Sequence, residues 1–258
     1  MKAHFRRSRA LLAALVTSAS IASSAGAQQI VAFGAAEFSG ERRSVQLLGF
    51  AVSSGLPGWS PVFTLTGLRF TFPVTDPITL TTSTADAFAL APSLGLRYQT
   101  ETRSTGVHVG YIFVEEDDDV SAITGSPVGS ADGVFATFQH DYWGRGDRIA
   151  QVIATYNFGG EYLWSRAKGG VRFPNITSPL FLGAEVIFQG GGGDDDLGIP
   201  DTWALQAGPV LMFQLTPNFR LDLSGGVRIP IDDDDAADEG TGGYGRIEFV
   251  AVLPRIFR

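Results

Sequence analysis

Phe219-Arg220-Leu221-Asp222-Leu223-Ser224-Gly225-Gly226-Val227-Arg228-Ile229 is the stretch that decides how this chain must fold. Successive side chains of an extended strand point to opposite faces. Phe219, Leu221, Leu223, Gly225, Val227 and Ile229 therefore share one face, and Arg220, Asp222, Ser224, Gly226 and Arg228 the other. A tilted strand of this length crosses a bilayer. A charged face set against an aliphatic one over that length is what a lipid-out, lumen-in strand requires.

The neighbouring segments follow the same rule. From Leu163 to Phe173 the outward set is Leu163, Ser165, Ala167, Gly169, Val171 and Phe173, which leaves Tyr162, Trp164, Arg166, Lys168 and Arg172 inside. From Leu180 to Gln189, Leu180, Leu182, Ala184, Val186 and Phe188 point out, and Glu185 and Gln189 point in. The last segment sets Ile247, Phe249, Ala251 and Leu253 against Arg246 and Glu248. Earlier segments alternate less cleanly, with Glu37, Arg69, Arg97, Gln99 and Glu101 assigned inward.

Counting such segments predicts about twelve strands, an even number of the kind single-chain bacterial barrels use. They begin near Ile30, Val45, Val62, Ala87, Thr105, Gly133, Ile149, Tyr162, Leu180, Thr202, Phe219 and Tyr244. The fold class expected is all-β, an antiparallel transmembrane β-barrel. The connections argue for it independently. Gly144-Arg145-Gly146-Asp147, Pro174-Asn175-Ile176-Thr177 and Thr216-Pro217-Asn218 are short, whereas Glu115 through Asp132, Gly190 to Asp201 and Asp232 through Gly243 are long and acidic. If strands alternate in direction, the acidic loops gather at one end and the tight turns at the other, the asymmetry of outer-membrane barrels. A soluble β-sandwich explains the alternation but not that asymmetry.

The first 27 residues read differently. Lys2, Arg6, Arg7 and Arg9 precede the apolar run Ala10 to Val16 and a small-residue stretch ending Ala25-Gly26-Ala27. This is the pattern of a secretory signal peptide cut before Gln28, leaving residues 28–258 as the barrel. The apolar run is too short for a spanning helix, which needs roughly 20 residues, and no apolar segment of that length follows. Loss of the four basic residues takes the formal charge from −8 to −12. An acidic chain without Lys/Arg patches excludes nucleic acid as a partner. The lack of cysteine excludes thiol chemistry and Cys-ligated metals. The expected surroundings are outer-membrane lipid and lipopolysaccharide of a Gram-negative bacterium.

The inward charges Arg69, Arg97, Arg166, Lys168, Arg172, Glu185, Arg220, Asp222, Arg228, Arg246 and Glu248 are the candidate lumen lining. Mixed in sign, they fit a selectivity-tuning pore wall or ion pairs that fill a narrow bore. Gly190 to Gly193 followed by Asp194-Asp195-Asp196 suggests a cation loop, but no tract has the spacing and terminal Glu of a calcium loop. Self-repelling, solvated loops that meet lipopolysaccharide phosphates through cations are the simpler reading. After the signal, the histidines are His108, on an inward face, and His140, beside Asp141, Tyr142 and Trp143 at an interfacial girdle. No serine or carboxylate stands next to His108 in sequence, so no catalytic constellation and no cofactor is expected. Arg145-Gly146-Asp147 and Asn175-Ile176-Thr177 match an adhesion tripeptide and a glycosylation sequon, both in turns facing the periplasm, where neither would act.

Gly133-Val134-Phe135 through Tyr142-Trp143, Arg166-Ala167-Lys168-Gly169-Gly170-Val171-Arg172, Leu182-Gly183-Ala184-Glu185 and Gln206-Ala207-Gly208 resemble the outer-membrane family of the cellulose biosynthesis protein BcsS. That family tends to have proline where Ala184 stands. The resemblance covers about half the chain and implies a barrel tied to export or assembly of cellulose, with cellulose or its export machinery as partner and no catalytic residues. The alternatives are a small porin-like channel for ions or small solutes and a lipid-modifying barrel enzyme built on His108.

Overall fold

A computed structural model of the chain describes residues 29–40, 43–75, 82–116, 132–144, 146–174, 179–191, 202–231 and 241–253. They form twelve strands: β1 (Gln29–Ser39), β2 (Arg43–Ser53), β3 (Gly58–Thr75), β4 (Thr82–Gln99), β5 (Arg103–Glu116), β6 (Gly133–Tyr142), β7 (Arg148–Asn157), β8 (Tyr162–Arg172), β9 (Leu180–Gly191), β10 (Thr202–Thr216), β11 (Phe219–Pro230) and β12 (Gly242–Leu253). Each pairs antiparallel with its neighbours in sequence, and β1 pairs with β12 from Ile30↔Leu253 to Ser39↔Tyr244, so the sheet closes. The expected fold class and strand number are those observed, and the starting points agree to within two residues except for β3 and β4, which begin at Gly58 and Thr82 rather than near Val62 and Ala87. The expected signal segment lies outside the described residues, as do most of the acidic loops and the Asn175-Ile176-Thr177 turn. Gly190 and Gly191 belong to the end of β9 and not to a loop.

Alternation fixes which face looks out. Leu48, Leu94, Leu96, Val107, Val109, Val134, Val152, Val171, Leu182, Val186, Leu223, Val227 and Ile247 are exposed on the outer wall. Near the turn end the wall carries Trp59 against Tyr98 (ring centroids 5.3 Å apart), Tyr142, Trp143 and the stacked pair Phe219–Phe249. Near the loop end it carries Tyr111–Phe113, Tyr156–Phe158 and the stacked Phe188–Trp203. An aliphatic belt between two aromatic girdles is the outer surface of a barrel embedded in lipid.

The barrel bends sharply at places where side chains are absent. Gly183 faces inward between Gly170 on β8 and Val210 on β10, and a Cβ on it would lie 1.8 Å from the Gly169 carbonyl oxygen. At the β10–β11 bend a Cβ on Gly208 would stand 2.1 Å from the Gly225 oxygen, and one on Gly226 2.0 Å from that of Ala207. Pro209, lacking an N–H, interrupts the same ladder. Pro92 and Gly110 repeat the device on β4 and β5, where a Cβ on Gly110 would be 2.3 Å from the Pro92 oxygen. Glycine bends of this kind let a sheet curl tightly enough to close. They bring β8 and β10, which share no ladder, close enough that a Cβ on Gly170 would stand 2.6 Å from Met212 Cε.

Two substitutions test this account. Gly183→Ala puts a methyl against backbone that has nowhere to move and should lower stability by about 3 kcal/mol or more. Gly245→Ala meets nothing within 4 Å and should be neutral. Equal midpoints in urea-gradient refolding into vesicles would contradict the bend. On the outer wall, Val109→Arg at the middle of β5 should cost roughly 2–4 kcal/mol in a bilayer. A cost near zero in vesicles would mean that this wall does not face lipid.

Candidate functional site: a charged bar across the lumen

The inner face of the second half of the barrel carries one connected set of hydrogen bonds and ion pairs. It begins on β6, where Asp141 accepts from Gln139 (2.7 Å) and from Gln151 of β7 (2.6 Å). Gln151 in turn accepts from Arg166 on β8. Arg166 donates through both terminal guanidinium nitrogens to Glu248 on β12. Lys168, two residues along β8, donates to the same carboxylate at 2.9 Å and to Asp222 on β11 at 2.6 Å. Asp222 also meets Arg220 at 3.1 Å. Arg246 lies 3.7 Å from Glu248 and 3.1 Å from Glu37 of β1, which accepts from Gln206 of β10 at 2.8 Å. Seven strands thus meet inside the wall.

Elementary electrostatics explains the composition. A charge removed from water costs several kcal/mol unless paired and hydrogen-bonded. The bar balances Arg166, Lys168, Arg220 and Arg246 with Glu37, Asp141, Asp222 and Glu248. Glu248 is its hub, within 4.0 Å of all four cations. Trp164 supplies a ring to Arg166 and Arg246, whose guanidinium carbons lie 5.7 and 5.5 Å from its centroid. Beside the bar, Tyr244 donates to Glu185 at 3.2 Å. Phe181, Val210 and Met212, packed with Ile149, close off the turn side of it. A cavity of about 10 Å³ beneath Lys168 and Arg220 has room for one water.

Of the eleven lumen-lining candidates, Arg166, Lys168, Arg220, Asp222, Arg246 and Glu248 meet in this bar, with Glu185 alongside. Arg228 is on the inner face opposite Gln206 and Gly242, nearer the loop end. Arg172 has the inward phase but lies exposed at the turn end of β8. Arg97 is inward on the other half of the wall, bonded to Ser53 and to Gln29 (3.2 Å).

Arg69 corrects the expectation: it sits on the outer face. It pairs across strands with exposed Gln46 and Phe88, its side chain is 44% exposed, and it holds Asp86 at 2.8 Å while Asp86 accepts from Thr71. The inner face of β3 is Val62, Thr64, Thr66, Leu68 and Phe70, with Leu68 across from Leu47 and Ala89 and Phe70 across from Val45 and Ala87. β3 and β4 run past the ends of their neighbours, so the Arg69–Asp86 pair stands at the rim, above the apolar belt. Glu101 lies in the turn after β4 and is exposed. His140 is outward, bonded to Thr105 at 2.7 Å, and His108 is inward.

Gln151, Gln206, Asp141 and Tyr244 belong to the site although sequence reasoning did not single them out. All four carry the inward phase of their strands, and the polar glutamines at that phase were the available signal. Among the described residues no group of three or more His, Asp or Glu is placed to hold a metal ion.

No family model matches the chain, and no curated protein matches it. The BcsS resemblance therefore gains no support. Solved structures of outer-membrane channels and porins match most of the chain at low identity. An outer-membrane channel from Pseudomonas putida F1 is 13% identical, with 88% of this chain and 96% of that one covered and a TM-score of 0.48. The KdgM porin, solved in complex with disordered oligogalacturonate, is 8% identical over 87% and 99%, with a TM-score of 0.47. The NanC porin is 11% identical over 87% and 100%, at 0.42. Closed through all twelve strands, apolar and girdled outside and charged inside, this chain is an outer-membrane β-barrel.

Lys168→Met should lower stability by about 3–5 kcal/mol, because it takes from buried Asp222 its hydrogen-bonded cation, leaving it Arg220 alone, and removes one of the four cations around Glu248. Adding Asp222→Leu should restore more than about 1 kcal/mol of that loss. Additive costs in the double variant would show that the two side chains do not interact in the folded barrel.

Proposed function

We propose that this barrel is a porin-like passage for ions or small solutes, throttled by the charged bar. The supporting observation is the bar itself, a charge-balanced set of long side chains projecting into the lumen from seven strands. A wall needing only stability could be filled with apolar side chains at equal or lower cost. Charged groups on flexible stems can instead exchange partners while a hydrated ion passes, replacing part of its hydration shell. Near-neutrality keeps the interior from binding one sign of ion too tightly to release it. The catalytic alternative lacks a nucleophile: His108 has no hydrogen-bond partner at Nδ1, and no Ser–His or Cys–His pair forms around it among the described residues.

Planar-bilayer recording of the refolded protein tests the reading, with heat-shifted gel mobility as the check on folding. The wild type should give small, steady current steps. Glu248→Gln, which takes the hub charge from among Arg166, Lys168, Arg220 and Arg246, should raise the conductance several-fold as the four cations repel one another. A folded barrel silent in both forms would overturn the channel and favour an accessory role in exopolysaccharide export, worked by the external loops.

A further inference from the structure

The lumen is two-sided. The bar fills the side formed by β6 to β12, whereas the facing wall of β2 to β5 is lined near the turn end by small residues: Ser53, Ser60, Ser93, Gly95, Ser104 and Gly106. Besides Gln99 at the turn end of β4, two large polar side chains interrupt that wall. Arg97 lies directly across from Ser60 on one side and Gly106 on the other, and His108 directly across from Gly95. The glycines seat the imidazole flat on the wall, since a Cβ on Gly95 would come 2.8 Å from its ring and one on Gly106 3.2 Å from Nε2.

Three polar atoms in this patch are buried without a partner: Arg97 Nε, Ser60 Oγ and His108 Nδ1. Ser60 is only 2% exposed. Buried polar atoms are nearly always satisfied, and a cluster of unsatisfied ones asks for a bound group. The other such atoms among the described residues belong to arginine Nε positions or to members of the bar. A guanidinium N–H and a hydroxyl both donate, and an imidazole nitrogen can donate as well. Asp141, directly across from Ser104, has its two oxygens engaged by Gln139 and Gln151. Donors gathered around one fixed cation are complementary to an oxyanion.

We infer that Arg97, Ser60 and His108 form a lumenal subsite for a small oxyanion, the carboxylate or phosphate group of a solute. The subsite lies on the wall that the bar leaves clear. It gives the chemical class of the passenger, and it rests on the channel reading only in taking that passenger to be in transit.

The test is solution NMR of the folded, histidine-labelled barrel in detergent micelles, titrated with inorganic phosphate or with acetate at fixed pH and ionic strength. After the expected signal cut the chain has two histidines, His108 and His140, and His140→Gln assigns the resonances. The His108 ring should shift saturably with a midpoint of roughly millimolar, while His140 on the outer wall does not move. Arg97→Gln should weaken binding about tenfold or more, Arg97→Lys less, and Ser60→Ala about threefold. Phosphate and acetate midpoints within a factor of a few of each other assign the shared oxyanion; binding of one alone names the passenger group. An unsaturable shift, an equal shift at His140, or one unchanged in a folded Arg97→Gln barrel overturns the subsite. Saturable binding in a barrel that conducts nothing retains the subsite and removes the channel, whereas conduction without binding does the reverse.

Discussion

Everything in this barrel follows from the cost of leaving a backbone N–H or C=O unpaired in hydrocarbon, several kcal/mol for each group. A sheet can avoid that cost only by having no edge. The seam between β1 and β12, paired over the length of both strands, is therefore as indispensable as any ladder inside the sheet. Closure of twelve strands then dictates strong curvature, and curvature dictates the glycines. At Gly183, Gly208 and Gly226 the backbone of one strand occupies the space a neighbour's Cβ would need. These glycines are conditions for the polar satisfaction of every residue between them.

A second consequence concerns the charges. A chain that must stay in water before reaching its membrane cannot carry long apolar runs, and alternation is the way to span lipid without them. Each outward aliphatic residue is followed by an inward one free to be polar. The inward set must still be neutralised once the barrel narrows, because the charges then leave bulk water. Glu248 satisfies that demand for four cations at once. The aliphatic outer wall and the ion-paired interior are thus two faces of one sequence rule.

How much of this was legible depended on how cleanly a strand separates its faces. β8, β9, β11 and β12 put charge on one face and aliphatic residues on the other, so their phases could be read directly. β3 does not: Phe63, Leu65 and Arg69 face out while Val62, Leu68 and Phe70 face in, and hydropathy cannot choose between them. Arg69 also stands near the loop end of β3, where it pairs with Asp86 on the outer face, so the rule that charges turn inward fails for it. Partners were harder still. Alternation tells which face a side chain occupies, but nothing in the sequence says that Lys168 meets Asp222 or that Arg166 reaches Gln151 and Glu248. Those contacts depend on the glycine bends, whose close approaches are invisible until neighbouring backbones are in place. The uneven distribution of inward charge, dense from Arg166 onward and sparse before, was the available hint that one side of the lumen would be filled.

That asymmetry governs what the interior can do. A symmetric ring of charges would centre any passage on the barrel axis and expose every passenger to both signs at once. Here the long, paired side chains occupy one side, and the opposite wall is small near the turn end, where Arg97 and His108 stand out, and apolar farther up at Leu47, Leu68 and Phe70. A solute crossing this lumen would slide between a charge-balanced bar and, near the turn end, a wall of backbone and small side chains. The bar can yield because its members hold alternative partners within reach: Arg246 lies between Glu37 and Glu248, and Lys168 between Asp222 and Glu248. The wall cannot yield, because Gly95 and Gly110 hold neighbouring backbones too close for any side chain. In the passage we propose, size limits would therefore be set by the bar, and chemical preference by the few polar groups on the wall.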